Sequence, residues 1–122
     1  MQKGRAQNDA PAVADFLPLT AAIHHILLAL VDEERHGYGI MLEVTRLTSG
    51  GTKMGPGTLY GTLKRMVNSG LIEEADQRPD PELDDERRRY YRITRLGQRV
   101  LRAETARVSV LLDAARAKKV RA

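Results

Sequence analysis

Residues 55–72 read "GPGTLYGTLKRMVNSGLI". Pro56 stands where a helix can begin, because its missing N–H falls among the donors that a first turn leaves unbonded. Leu59, Leu63, Met66 and Val67 recur at helical spacing and mark one apolar face. Gly70, after Asn68 and Ser69, is a left-handed stop. The opposite side carries Gly57 and Gly61 with Thr58 beside them, then Lys64, Arg65 and Asn68. The pattern predicts a helix whose outward face is nearly bare at its start and basic further on. Such an end admits a bulky partner. Glycines also serve turns, however, and Lys or Arg suits any solvated face, so the flanking segments have to decide.

Upstream, "HGYGIMLEVTRLTSGG" at 36–51 predicts a second helix from about Gly37 to Thr48. Tyr38, Ile40, Met41, Val44 and Leu47 supply its apolar positions, and Gly50-Gly51 stops it. "TKM" at 52–54 has room only for a short bridging strand. A first helix is expected from near Pro18 to about Asp32, with Ile23, Ile26, Leu27, Leu30 and Val31 forming a broad apolar face. Residues 1–16 are polar, Ala-rich and aperiodic, and read as a flexible arm carrying Lys3 and Arg5.

Downstream, "LIEEA" (71–75) and "RYYRI" (89–93) alternate as the strands of a hairpin, with Tyr91 and Ile93 facing one way and Tyr90 and Arg92 the other. The loop between them, "DQRPDPELDDE", holds two prolines and six carboxylates. Thr94 can cap a last helix of about twenty residues. Its Leu101, Thr105, Val108, Leu112 and Ala115 alternate four and three apart, the spacing of a helix-pairing seam. That seam suits packing onto the first helix or pairing with a second copy. A long helix with apolar residues over much of its surface exceeds what one small domain can cover, which favours pairing.

The chain of 122 residues is enough for one domain with a modest core. One Phe, four Tyr and no Trp leave that core to aliphatic side chains. A net charge of +4 suits an acidic partner such as nucleic acid. The absence of Cys excludes disulfides and thiol chemistry and fits a cytoplasmic setting. No apolar run reaches membrane-spanning length and no signal peptide is evident. His24 and His25 are adjacent on a helix and diverge by about 100°, a poor start for a metal site. His36 belongs to the "HGY" turn, where it supports the second helix. No nucleophile elbow, phosphate loop or triad is present, so neither an enzyme nor a cofactor or metal site is expected.

The element order is helix, helix, short strand, helix, hairpin, long helix. The expected fold class is mainly α with a small β-hairpin, a winged helix-turn-helix followed by a long C-terminal helix. In such modules the third helix enters the major groove and the hairpin, or wing, lies along the backbone. A groove about 12 Å wide admits a helix whose contacting end is small. Gly57, Thr58 and Gly61 permit that approach, and Lys64 and Arg65 can meet phosphates or base edges. Arg87, Arg88 and Arg89 fall where a wing needs positive charge, although they also neutralise the carboxylates before them. The division expected is an arm at 1–16, a winged helix at 17–94, a dimerisation helix at 95–117 and a basic tail at 118–122.

"HGYGI" at 36–40, "GPGTLYGTLKRMVNSGLI" at 55–72 and "RRRYYRITRLG" at 87–97 together resemble the PadR-type transcriptional regulators over roughly residues 19–112. The resemblance implies a homodimeric bacterial regulator of double-stranded DNA, commonly a repressor released by a small molecule or stress signal. Carried over by position, Tyr60 reaches a phosphate while its ring packs at the helix edge, and Lys53 with Arg88 or Arg89 contacts the backbone. Thr58, Lys64 and Arg65 are the candidates for base readout. The dimer interface would draw on Ile23 and Leu27 of the first helix and on Leu101, Thr105, Val108, Leu112 and Ala115 of the last. Gly61 departs from the family's frequent Pro, Gly55 stands where Ser often caps, and the acidic loop at 80–86 is more negative than a phosphate-gripping wing needs. A winged helix used only for protein contact is the alternative, distinguished by its lack of preference for an operator over random duplex.

Overall fold

A computed structural model of the chain describes residues 12–75 and 89–121. Four helices and three short strands follow one another as α1 (Ala21–Leu30), β1 (Arg35–His36), α2 (Gly37–Leu47), α3 (Pro56–Asn68), β2 (Ile72–Glu74), β3 (Tyr90–Ile93) and α4 (Arg95–Ala117). Each helix start has a local cause. Thr20 accepts the Ile23 N–H and starts α1 three residues later than the Pro18 expectation. His36 accepts the Gly39 N–H through Nδ1 at 3.0 Å and caps α2. Thr94 accepts the Gly97 N–H at 3.0 Å, while its own hydroxyl donates to the Gly70 carbonyl at 2.6 Å, so one side chain caps α4 and ties it to the end of α3.

The strands form one antiparallel sheet in the order β1-β3-β2, with Arg35 opposite Tyr91 and Ile72 opposite Ile93. This corrects the strand expected at 52–54. That segment is not a strand; Thr48 and Thr45 side chains bind the Thr52 N–H and carbonyl, satisfying the backbone of Thr52 without a ladder. The third strand is instead the pair of residues just ahead of α2. The hairpin alternation holds: Tyr91 is buried, Arg92 exposed.

The core is aliphatic, as the composition requires: Ile26, Leu30, Ile40, Val44, Leu59, Leu63, Met66, Ile72 and Val100 enclose one another. Each such side chain contributes roughly 1.5–3 kcal/mol on burial. α3 thus rests its apolar face on α1 and α2 and presents its other face outward. Residues 13–16, read as part of the arm, form a turn of 3-10 helix whose Val13 and Phe16 pack on the core beside α4; residues 1–11 lie outside the described residues. Among the described residues, one charged side chain is buried in the interior. Glu104 of α4 is buried, held by Arg107 through two contacts of 2.8 Å and by the Leu19 backbone N–H.

Candidate nucleic-acid interface

α3 builds the site. Gly55, Gly57, Thr58, Lys64, Arg65 and Asn68 are exposed along its outer side, with Lys53 exposed just ahead of it. Neither the turn nor the packing of α3 requires Gly57 or Gly61. Neither Gly57 nor Gly61 has a positive φ, unlike Gly50 and Gly70. A Cβ at Gly57 would meet nothing within 4 Å, and one at Gly61 would only touch the Arg65 guanidinium at 3.8 Å. The fold therefore demands glycine at neither position, although each glycine inside a helix costs up to about 1 kcal/mol relative to Ala. The space left open faces away from the protein.

Tyr60 behaves differently from its neighbours. It is half-buried, and its phenol occupies the place a side chain at Gly37 would need. A Cβ on Gly37 would run into the Tyr60 hydroxyl and ring. The "HGY" and "GTLY" segments, far apart in sequence, meet here, and the contact fixes α3 against the first turn of α2. The hydroxyl is thus seated at Gly37, at the edge of the outer face, rather than projecting from it. His36 packs its ring edge-on to Tyr90 at 5.2 Å and so joins the same corner to β3.

Tyr60, Lys64 and Asn68 also form one wall of a cleft of about 530 Å³ whose other wall is Glu74, Arg89 and Tyr91 of the hairpin. Charge is distributed unevenly across it. Arg89 lies 4.0 Å from Glu74, and Arg92 is bound by Glu73 at 2.8 Å and Glu34 at 3.6 Å. The hydrogen bond and charge of Glu73 hold the Arg92 guanidinium even more firmly protonated than usual. Lys53 and Lys64, by contrast, have no carboxylate within ion-pair distance among the described residues. Among the described residues, positive charge is therefore unmatched on the helix side and largely matched on the strands. Arg87, Arg88 and the acidic loop at 80–86 lie outside the described residues.

The residues expected at a dimer interface divide. Leu27 is 0% exposed and Leu101 5%, enclosed by their own chain, and Ile23 is half-buried against the core. Leu27 offers no surface to a partner and is withdrawn from that set. Thr105, Val108 and Leu112 are exposed, and Ala115 is half-buried. Two residues outside the four-and-three spacing are more exposed still: Val110 at 66% and Leu111 at 56%. The run "VSVLL" at 108–112 was the signal for them, since consecutive apolar residues cover more than one stripe of a helix. His24 and His25 stack loosely, and no group of three metal-ligating side chains occurs among the described residues. No helix of the described residues is long and apolar enough to cross a membrane.

Comparison with known proteins agrees with this geometry. Residues 26–103, more than half of the chain, match the model of the Transcriptional regulator PadR-like family. The chain is 39% identical over 77 residues to Transcriptional regulator Rv3488 of Mycobacterium tuberculosis, covering 63% of this chain and 65% of that protein, slightly under two thirds of its length. A PadR family transcription regulator from Clostridium difficile R20291 shares the fold with a TM-score of 0.63 at 22% identity, over 80% of this chain and 96% of that one. RosR of H. salinarum is similar at a TM-score of 0.58 and 26% identity, over 85% of this chain and 99% of that one. With the winged helix, its bare and basic third helix and the family match in agreement, this chain belongs to the PadR-like family of transcriptional regulators.

Proposed function

We propose that the protein is a homodimeric, cytoplasmic, operator-specific repressor that leaves DNA when a small molecule or stress signal binds. The observation that carries DNA reading is the outer face of α3: two glycines the fold does not require, followed by exposed Lys64 and Arg65. Lys53 and Lys64 are the main phosphate contacts in this reading, with Arg89 a weaker one because it must exchange Glu74 for DNA. The wing arginines Arg87 and Arg88 are assigned to the backbone by family position; the hydroxyl of Tyr60 would have to leave its seat at Gly37 to join them. Thr58 and Arg65 face the bases.

Dimerisation is supported by the apolar surface that Val108, Val110, Leu111 and Leu112 leave exposed on α4. Two copies would present two reading helices to the two halves of a palindrome. A ligand bound between the copies would change the separation of those helices and so the affinity for the operator. The groove of about 630 Å³ between Val31 and the Leu101–Thr105 turn of α4 supports this reading, as space that a small molecule could occupy.

Capture of genomic fragments with the purified protein tests this reading. A short palindrome, bound by two chains and preferred over random duplex, is the expected result. Capture without sequence preference would overturn it and leave a winged helix that contacts protein instead.

A further inference from the structure

We propose that Arg65 reads a guanine base, held in reading position by Thr62 and given its room by Gly61. The proposal rests on the assignment of α3 as the DNA-reading helix, and goes beyond it by naming the base and the residues that orient its reader.

The geometry begins with Thr62. It is a polar residue buried on the inner side of α3, and its hydroxyl donates to the Thr58 carbonyl at 2.7 Å. That bond consumes its only proton and turns an oxygen lone pair toward the helix surface. Arg65 Nη2 donates to this oxygen at 3.2 Å. The chain Arg65 to Thr62 to Thr58 therefore runs back along the helix and fixes the guanidinium from below. Nη1 lies 3.8 Å from the place a Cβ at Gly61 would occupy. Alanine at 61 would merely touch the fork; a longer side chain would displace it.

Two consequences follow. Side chains on a helix lean toward its N-terminus, and this anchoring completes the movement, carrying the charge of Arg65 from the last turn of α3 to the level of residues 61 and 62. That brings it toward the N-terminal half of the helix, whose residues approach base edges in such modules. The anchor also leaves most of the five guanidinium N–H donors free, and no carboxylate among the described residues lies within ion-pair distance to take them. A planar donor fork tied to Thr62 above a helix surface left bare by Gly61 matches O6 and N7 of guanine, which accept two parallel hydrogen bonds in the major groove. Lys64, a single flexible charge with no comparable anchor, suits a phosphate.

The test uses the duplex recovered by genomic capture, with 7-deazaguanine, which lacks the N7 acceptor, replacing each guanine in turn. Wild type should lose roughly ten- to a hundred-fold in affinity at one guanine per half-site. Arg65→Ala should lose affinity on the native duplex and be indifferent to that replacement. Arg65→Lys should keep the salt dependence of wild type yet lose the preference. Thr62→Val should weaken the preference, and Thr62→Ser, which restores the hydroxyl, should recover it; thermal melts of each variant separate loss of folding from loss of reading. If Arg65→Ala binds more weakly while remaining as sensitive as wild type to every replaced guanine, Arg65 is a phosphate contact and the proposal fails with DNA reading intact. Indifference of wild type to every replacement would have the same meaning. Failure to recover any preferred duplex would instead remove the DNA-reading assignment itself.

Discussion

Gly57 and Gly61 separate two demands that usually coincide. A glycine kept for backbone reasons shows a positive φ, as Gly50 and Gly70 do, and one kept for packing has a neighbour in the place of its side chain, as Gly37 has Tyr60 and Gly97 has the Leu71 carbonyl. Gly57 shows neither. Its substitution should therefore move stability and DNA binding in opposite directions. Gly57→Ala is expected to stabilise the fold by about 0.5–1 kcal/mol, read as a higher urea midpoint. The same variant should bind the operator more weakly, because its methyl group stands on the face that approaches the groove. A variant that binds as well as wild type would show that the bare surface is not an approach surface. The glycine pattern was legible in the sequence, but the distinction between these glycines was not. It depends on what lies opposite each Cα, and the Tyr60–Gly37 and Leu71–Gly97 contacts join residues distant along the chain.

At the scale of elements, the helices were legible because their period, caps and stops are local. Thr20, His36, Thr94 and Gly70 each act on residues within a turn or two. β1 was not legible, since two residues, Arg35 and His36, show no alternation, and their pairing partner lies far downstream in β3. The turn at Val13–Phe16 is likewise too short for a periodic signal. Nor did the seam of α4 announce Glu104, a carboxylate buried where an apolar residue would be expected. The hydrogen bond from Arg107 is the largest cause holding its carboxyl below the usual carboxylate range, with the Leu19 N–H adding to it. Because the folded pKa is depressed, the unfolded chain takes up the proton first. The contribution of Glu104 is complete above the unfolded carboxylate pKa of about 4.3 and disappears as pH falls through the lower folded value. Glu104→Gln should lower stability by about 1.5–3 kcal/mol near neutral pH and flatten the loss below that carboxylate pKa. Some slope will persist, because Glu43 is also depressed by its bond to Arg46. An unaltered acid limb in the urea midpoint against pH would show that Glu104 is not the group that titrates.

At the scale of the molecule, the winged helix presents one side of positive charge, on and before α3, that no carboxylate among the described residues matches, while the described wing arginines already hold carboxylates. Surface ion pairs of this kind contribute about 0–1 kcal/mol each, so the wing is not closed to DNA. It gains less from a phosphate than Lys53 or Lys64 does. In the function proposed above, α3, rather than the wing, thus carries most of the contact with DNA. The most direct measurement is operator affinity across a range of salt concentrations for wild type and for Lys64→Ala combined with Arg65→Ala. Each lost phosphate contact removes about 0.9 from the log–log slope. A dimer that loses both copies of Lys64, with Arg65 on a base, should bind more weakly at every salt concentration and with a slope shallower by about 1.8. Affinity and slope equal to those of wild type would take α3 out of the interface with DNA.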